Sequence, residues 1–130
     1  MKRIVIFLLI ALAAATGATA RGRTEKVSMA KNTGAMMSAQ ALAEKGPTVL
    51  FFAADWCPTC RVALNDINAN GARMNEVTVV VVDYDKAADL KAKYGVTSQH
   101  TYVQIDAQGE KLAIWNGGGV DGIVKNVKRG

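Results

Sequence analysis

The feature that most constrains this chain is an apolar run that leads almost directly into a pair of cysteines. Residues 48–53 read Thr-Val-Leu-Phe-Phe-Ala, a run of strand length that predicts a central strand buried on both faces. Shortly afterwards the chain reads Trp56-Cys57-Pro58-Thr59-Cys60. Proline suits the first turn of a helix, because its missing N–H would be unpaired there. The sequence therefore predicts a strand, a corner that carries the cysteines, and a helix to about Asn70.

Cys57 and Cys60 are the only cysteines in the chain. A disulfide between them closes too small a loop to stabilise the fold by restricting the unfolded chain. Haem attachment requires a histidine directly after the second cysteine, and Arg61 stands there instead. Structural zinc requires four Cys or His ligands, and His100 is the single histidine. A redox-active dithiol is the interpretation that remains.

The N-terminus has the pattern of a secretory signal. Lys2 and Arg3 precede an apolar run over residues 4–15, and small residues follow to Ala20. This run is shorter than the roughly 20 residues that span a bilayer, which makes an uncleaved anchor the weaker alternative. We expect residues 1–20 to be a signal peptide cleaved after about Ala20, and the mature protein to be exported to the periplasm.

Composition predicts one small domain. The chain has 130 residues, with 16 Lys and Arg against 11 Asp and Glu, and loss of Lys2 and Arg3 would reduce the net charge from +5 to +3. No block of basic residues stands out, so we expect no nucleic-acid partner. We expect a monomer. In an oxidising compartment a lone C-x-x-C pair must be held in a chosen redox state by other proteins, and we expect a redox partner in the membrane.

Further elements follow in regular order. Residues 21–33 are polar and aperiodic and are expected to be a flexible lead-in to a domain over 34–130. The patterns predict helices over 36–45, 58–70, 86–94 and 120–128, and strands over 48–53, 76–85, 101–105 and 111–115.

This layout, with the W-C-x-x-C element after a buried strand, resembles the thioredoxin-like superfamily over about residues 36–128. Weaker supporting pieces fall in the right order: Lys93-Tyr94-Gly95-Val96, the Gly109-Glu110 hairpin and Gly117. The resemblance implies an α/β thioredoxin-like fold, with a central mixed β-sheet flanked by helices. It also implies an exported thiol–disulfide oxidoreductase that acts on protein thiols and disulfides without a bound cofactor, with a slight preference for the reductive direction.

The chemistry assigns different tasks to the two cysteines. A helix N-terminus lowers the pKa of a thiol placed there, which favours Cys57 as the attacking nucleophile, open to a partner's disulfide. Cys60 lies one turn deeper and is assigned as the resolving thiol, by this geometry and by the resemblance. Pro58 and Thr59 are expected to tune the redox potential. Trp56 is expected either to fill the core or to take part in partner docking.

Three positions depart from the family pattern. Phe51 stands where many members have a buried Asp, and Val81 where a Lys often accompanies it. In the loop Gln99-His100-Thr101, His100 occupies the position of the usual cis-proline. A cis bond before a non-proline residue costs about 2.5–4 kcal/mol, so the Gln99–His100 bond is expected to be trans or strained. One hypothesis places His100 against the sulfurs as proton acceptor or thiolate partner. The other is a solvent-facing loop histidine.

Two other functions stay open at this stage. Cys57, Cys60 and His100 could converge as three ligands of Cu(I) or zinc, with Met29, Met36 and Met37 as possible additional copper ligands, although methionines at this spacing are more often helix core. The third possibility is a thioredoxin-like adaptor with a vestigial dithiol.

Overall fold

The protein is represented by a computed structural model, which describes residues 24–27 and 33–130. The described part contains five strands and four α-helices, with a short 3₁₀ helix at Gly71–Met74. The strands are β1 (Thr24–Val27), β2 (Thr48–Ala53), β3 (Thr78–Asp83), β4 (Thr101–Ile105) and β5 (Lys111–Asn116). The α-helices are α1 (Thr33–Lys45), α2 (Pro58–Asn70), α3 (Ala88–Tyr94) and α4 (Val120–Asn126).

The strands form one mixed sheet in the order β1-β3-β2-β4-β5. β1, β3 and β2 are mutually parallel, whereas β4 runs antiparallel to β2 and β5 runs antiparallel to β4. All six residues of β2 are buried, as expected for a central strand covered on both faces. The predicted mixed α/β sheet flanked by helices is therefore confirmed.

Alternate residues of the central strands separate two cores, because successive side chains of a strand point to opposite faces. One core contains Phe51, Val81, both cysteines and the buried residues of α2 and α4. The other contains Leu50, Phe52 and the buried residues of α1 and α3. The cysteines thus belong to the core on the α2/α4 side of the sheet.

The predicted helices and strands are all present, with boundary changes of a few residues. α2 and β2 have the bounds that the sequence predicts. α3 ends at Gly95, whose φ of 71° suits a residue without a side chain and whose N–H donates to the Lys91 carbonyl. The hydroxyl of Tyr94 donates a 2.7 Å hydrogen bond to the carbonyl of Gly109, which fixes α3 against the β4–β5 turn.

The expectation of a flexible lead-in over residues 21–33 is wrong for residues 24–27, which form β1. The segment Thr24–Val27 has too few apolar residues to show a strand pattern. It pairs in parallel with residues 79–82 of β3, so the edge of the sheet supplies its hydrogen-bond partners. The predicted signal peptide, residues 1–20, lies outside the described residues. Within the described part, none of the helices combines the length and the apolar character needed to cross a membrane.

Candidate active site

The two cysteines are joined as a disulfide at the N-terminus of α2. Cys57 is the residue before the first helical turn, with an extended backbone (φ −89°, ψ 107°), and Pro58 opens the helix. The N–H of Cys60 donates to the Cys57 sulfur over 3.2 Å, and the two Cα atoms are 5.2 Å apart. The sulfur of Cys57 thus accepts one of the N–H groups that a helix start leaves without an intrahelical partner.

Cys57 is less accessible than its sequence position predicts. The residue is 2% exposed and Cys60 is 0% exposed, so the expectation of an open outer sulfur is wrong for the disulfide form. The loop before β4 lies against the disulfide, with a ring nitrogen of His100 within 4.8 Å of both sulfurs. The hydroxyl of Thr59 lies 3.3 Å from the Cys57 sulfur on the same side.

Trp56 is not part of the core. Its side chain is 58% exposed, and its indole N–H donates a 2.9 Å hydrogen bond to a carboxylate oxygen of Asp85. This bond ties the corner before α2 to the turn that follows β3. A large apolar ring therefore stands in solvent beside the disulfide, which excludes the core-filler interpretation and leaves partner docking as a prediction.

The backbone of His100 has an unusual conformation. None of the described peptide bonds is cis, so the Gln99–His100 bond is trans, one of the two alternatives expected. The φ of His100 is 61°, in the left-handed region that costs a non-glycine residue about 1 kcal/mol or more. Two hydrogen bonds hold it there: its N–H donates to the Phe52 carbonyl over 2.8 Å, and its carbonyl accepts from the Gly117 N–H over 2.9 Å.

Both ring nitrogens of His100 have partners. Nε2 lies 2.8 Å from the carbonyl oxygen of Gly118, which can only accept, so Nε2 carries a proton and donates it. In the neutral ring Nδ1 is then the acceptor, and the Thr59 hydroxyl, 3.0 Å away, donates to it. The side chain is therefore aimed at the disulfide end of α2, as one of the two hypotheses predicts.

Cys57, Cys60 and His100 also form the set that could bind a metal, since their ligand atoms all lie within 4.8 Å of one another. In the disulfide form, however, the two sulfurs are bonded to each other and Nδ1 of the ring accepts from Thr59. The cluster as it stands offers no free soft ligand, so these residues are not assigned as metal ligands, and the metal-carrier alternative is not favoured.

The floor beneath the disulfide is apolar and aromatic. Phe51 stacks on Tyr102 with ring centroids 4.3 Å apart, and Tyr102 stacks on Trp115 at 5.4 Å. Burial raises the pKa of Tyr102, with a smaller contribution from the charge of Asp66, so the phenol stays neutral. Its hydroxyl donates a 2.7 Å hydrogen bond to the same Gly118 carbonyl that His100 contacts. Among the described residues, those that form this floor carry no charged group that could accept a proton from either thiol.

Comparison with known proteins decides the family. The family model described as Thioredoxin matches residues 28–129. This chain belongs to the thioredoxin family. A curated relative, Thioredoxin H2 of Arabidopsis thaliana, is 30% identical over 81 residues, which are 62% of this chain and 60% of that protein, so the matched part spans less than two thirds of the relative's length.

Solved structures agree with that family. Thioredoxin NaTrxh of Nicotiana alata is 25% identical, with a TM-score of 0.64, and the match covers 83% of this chain and 92% of the other. A mutant thioredoxin of Halobacterium salinarum, 20% identical, shows the same fold with a TM-score of 0.66 over 84% of this chain and 91% of the other. Thioredoxin-family proteins use a redox-active disulfide and need no cofactor, which supports the expectation of a thiol–disulfide oxidoreductase with its site at Cys57 and Cys60.

Sequence reasoning missed the residues that hold the loops of this thioredoxin site. The amide nitrogen of Asn116 lies 3.1 Å from the Ser98 hydroxyl, the Gln99 carbonyl and the Thr101 hydroxyl. Thr101 in turn donates to the Ser98 carbonyl over 2.8 Å. Gln99 in the loop before β4 and Thr101 at the start of β4, both predicted to shape the site, are therefore held in place from β5. An asparagine at a strand end carries no sequence signal for such a role.

Asp66 was missed for the same reason. Its carboxylate accepts from the Val120 N–H at the start of α4 over 2.8 Å and from the Asn70 amide over 2.7 Å. The hydrogen bond from Val120 is the largest cause that lowers the pKa of Asp66, and the one from Asn70 is the next. The carboxylate thereby anchors the glycine loop that presents the Gly118 carbonyl to His100.

Proposed function

We propose that this protein is an exported thiol–disulfide oxidoreductase that reduces disulfides of partner proteins through Cys57 and Cys60. The observation that carries the proposal is the disulfide at the start of α2, where Cys57 precedes the first turn and accepts the Cys60 N–H. A backbone donor and the positive end of a helix stabilise a sulfur anion at this point.

The reaction begins with the reduced dithiol. The Cys57 thiolate attacks one sulfur of a partner's disulfide, so a bond forms between Cys57 and the partner while the partner's own S–S bond breaks. The released partner thiolate takes up a proton. The Cys60 thiol then loses its proton and attacks the Cys57 sulfur, which re-forms the Cys57–Cys60 disulfide and releases the second partner thiol. The partner gains two electrons and two protons, and this protein loses them.

Export and electron supply complete the proposal. The pattern of residues 1–20 supports removal of a leader and residence in the periplasm. In an oxidising compartment the dithiol must be regenerated by another redox protein, and a membrane protein that carries electrons outward meets this need. The preference for reduction rests on the resemblance to single-domain thioredoxins.

The activity is tested by reduction of insulin with dithiothreitol as electron donor. The full chain should accelerate insulin precipitation, and Cys57→Ser should abolish the acceleration. Cys60→Ser removes the resolving thiol and should accumulate a mixed disulfide with insulin chains, which Cys57→Ser should not form. Absence of both insulin reduction and trapping, measured with protein that was first fully reduced with dithiothreitol, would exclude the proposed activity. The equilibrium potential of the pair against glutathione then gives the direction of exchange.

Export needs its own test. Residues 1–20 fused to a reporter enzyme that is active only outside the cytoplasm should give active reporter. Replacement of apolar residues between Ile4 and Ala15 by charged ones should remove the activity while reporter protein is still made. An inactive fusion with the natural segment would contradict the proposed location.

A further inference from the structure

We propose that Thr59 relays the Cys57 thiol proton to His100, so that a hydroxyl and an imidazole together act as the proton acceptor for Cys57. The inference rests on the proposed function, because it describes how the same dithiol becomes reactive. Thr59 contacts the reacting sulfur directly. His100 contacts Thr59 and acts on the sulfur only through it.

The direction of each hydrogen bond follows from one fixed point. The Gly118 carbonyl can only accept, so the Nε2–H of His100 donates to it over 2.8 Å. In the neutral ring Nδ1 then has a free lone pair, and the Thr59 hydroxyl lies 3.0 Å from it. When the Thr59 hydroxyl donates its hydrogen bond to Nδ1, its oxygen can turn a lone pair towards the Cys57 sulfur, 3.3 Å away. The chain of donors and acceptors is thus already arranged to receive a thiol proton.

The proton balance of the step is simple. When the disulfide is reduced, the Cys57 S–H donates to the Thr59 oxygen. The thiol proton moves to that oxygen as the hydroxyl proton moves to Nδ1 of His100. The products are a Cys57 thiolate, an unchanged neutral threonine and an imidazolium that donates from both nitrogens. The imidazolium later returns its proton to the thiolate released from the partner.

The described residues around the Cys57 sulfur offer this route as the one side-chain path for its proton. Among the described residues, the side-chain partner of the Cys57 sulfur is Thr59, and the floor beneath it is made by Phe51 and its apolar neighbours. Tyr102, the titratable neighbour of the His100 ring at 5.8 Å between centroids, donates to Gly118 and stays neutral. Two nearby carboxylates already accept hydrogen bonds, Asp66 from the Val120 N–H at the start of α4 and Asp85 from the indole N–H of Trp56. The side chains of Asp55 and Arg61 are exposed to solvent.

The loop geometry supports an active role for the imidazole. His100 keeps a φ of 61°, which costs free energy, and the bonds to Phe52 and Gly117 hold it in that conformation. The Gly118 carbonyl is itself fixed by the Tyr102 hydroxyl at 2.7 Å. The two backbone bonds and the shared Gly118 carbonyl hold the ring with Nδ1 at hydrogen-bond distance from the Thr59 hydroxyl, and proton transfer requires such a distance.

The test is the rate of Cys57 alkylation by iodoacetamide against pH, measured on the reduced full chain without any partner. Thr59→Val keeps the shape and removes the hydroxyl, whereas Thr59→Ser keeps the hydroxyl. We expect Thr59→Val to lower the rate near pH 7 about tenfold by moving the midpoint of the profile up by about one unit, and Thr59→Ser to restore most of it. A Thr59→Val profile that coincides with the natural one would overturn the relay.

A second pair of measurements tests the coupling. His100→Asn tolerates the left-handed backbone but lacks a base, and it should lower the rate by a similar factor. Because both residues serve one path, the double variant should lose no more than the larger single loss. Losses that multiply would show independent effects and contradict the relay. Should His100→Asn fail to fold, the two Thr59 variants decide alone. Insulin reduction by the natural chain, measured separately, shows whether a failed relay leaves the proposed activity intact.

Discussion

Phe51 on β2 and Val81 on β3 are direct partners in the register of the two central parallel strands. Both side chains lie in the core that contains the disulfide, with exposures of 0% and 8%. These are the two positions at which the thioredoxin pattern leads one to expect an Asp and a Lys. An apolar pair therefore replaces a charged pair beneath the sulfurs, and the imidazole within 4.8 Å of both sulfurs belongs to His100 in the loop before β4.

The first prediction concerns this pair. Phe51→Asp should destabilise the fold by at least about 3 kcal/mol, because it removes a buried ring from the stack on Tyr102 and leaves a carboxylate without a partner. Phe51→Leu keeps the position apolar and should cost less. Adding Val81→Lys to Phe51→Asp should recover part of the loss. Denaturant unfolding of the four proteins checks this, and a stable Phe51→Asp would contradict the apolar floor.

A second prediction concerns the position where relatives carry a cis-proline. His100→Pro should destabilise the protein by at least about 2 kcal/mol, because proline cannot adopt a φ of 61° and cannot donate to the Phe52 carbonyl. His100→Asn is the matched control, since asparagine tolerates this backbone. Thermal unfolding should place His100→Pro well below His100→Asn. The reverse order would mean that the loop readily adopts the conformation that a proline requires.

The carboxylate of Asp66 should make stability depend on acid pH. Its pKa is lowered below the ordinary 3.8, so its stabilising effect is fully present above that value and is lost as the pH falls through the lower folded-state pKa. Asp66→Asn keeps an oxygen for the Val120 N–H but removes the charge. We expect a loss of about 0.5 kcal/mol at pH 7 and a flatter dependence below pH 4. Urea unfolding of the natural protein and of Asp66→Asn at pH 7 and below pH 4 measures the difference in stability. A difference that is the same at every pH would refute the prediction.

Tyr94 should make stability depend on alkaline pH. Burial is the main cause that raises its pKa from 10.0 to about 12. The unfolded chain therefore loses this proton first, and stability should fall as the pH rises from 10 towards 12. Tyr94→Phe should flatten that decline, yet cost about 1 kcal/mol at neutral pH because the Gly109 carbonyl loses its donor.

The control for this prediction is Tyr84→Phe. The hydroxyl of Tyr84 makes a longer, exposed hydrogen bond to the Thr97 carbonyl at 3.3 Å, and its loss should change the neutral-pH stability by less. Unfolding of both variants across neutral and alkaline pH makes the comparison. Equal losses for the two variants at neutral pH would contradict the assigned role of Tyr94.

Local patterns were sufficient for the central elements because their signals are strong. The apolar run of β2 and Pro58 at the start of α2 specify a strand and a helix without knowledge of any neighbour. The placement of Cys57 and Cys60 at the start of α2 follows from these two elements. β1 could not be predicted in this way, because Thr24–Val27 becomes a strand by pairing with β3 rather than through its own hydrophobicity.

Contacts distant in sequence explain the part of the site that was missed. Asn116 and Asp66 act through bonds to the loop before β4 and to the start of α4, and neither stands within a recognisable motif. The role of the Gly118 carbonyl, which orients the His100 ring, is a property of backbone direction and has no residue signature. The sequence shows that a histidine stands at the usual proline position. The direction of the His100 ring, however, depends on a backbone φ that sequence patterns do not predict.

The near-complete covering of Cys57 has a kinetic consequence. A small thiol that diffuses to the oxidised domain gains almost no contact area, so it must wait for the covering loop to open by thermal fluctuation. A protein that docks beside the exposed Trp56 can instead use its own binding free energy to shift that equilibrium. We therefore expect a docking redox protein to reduce this disulfide faster than free small thiols do.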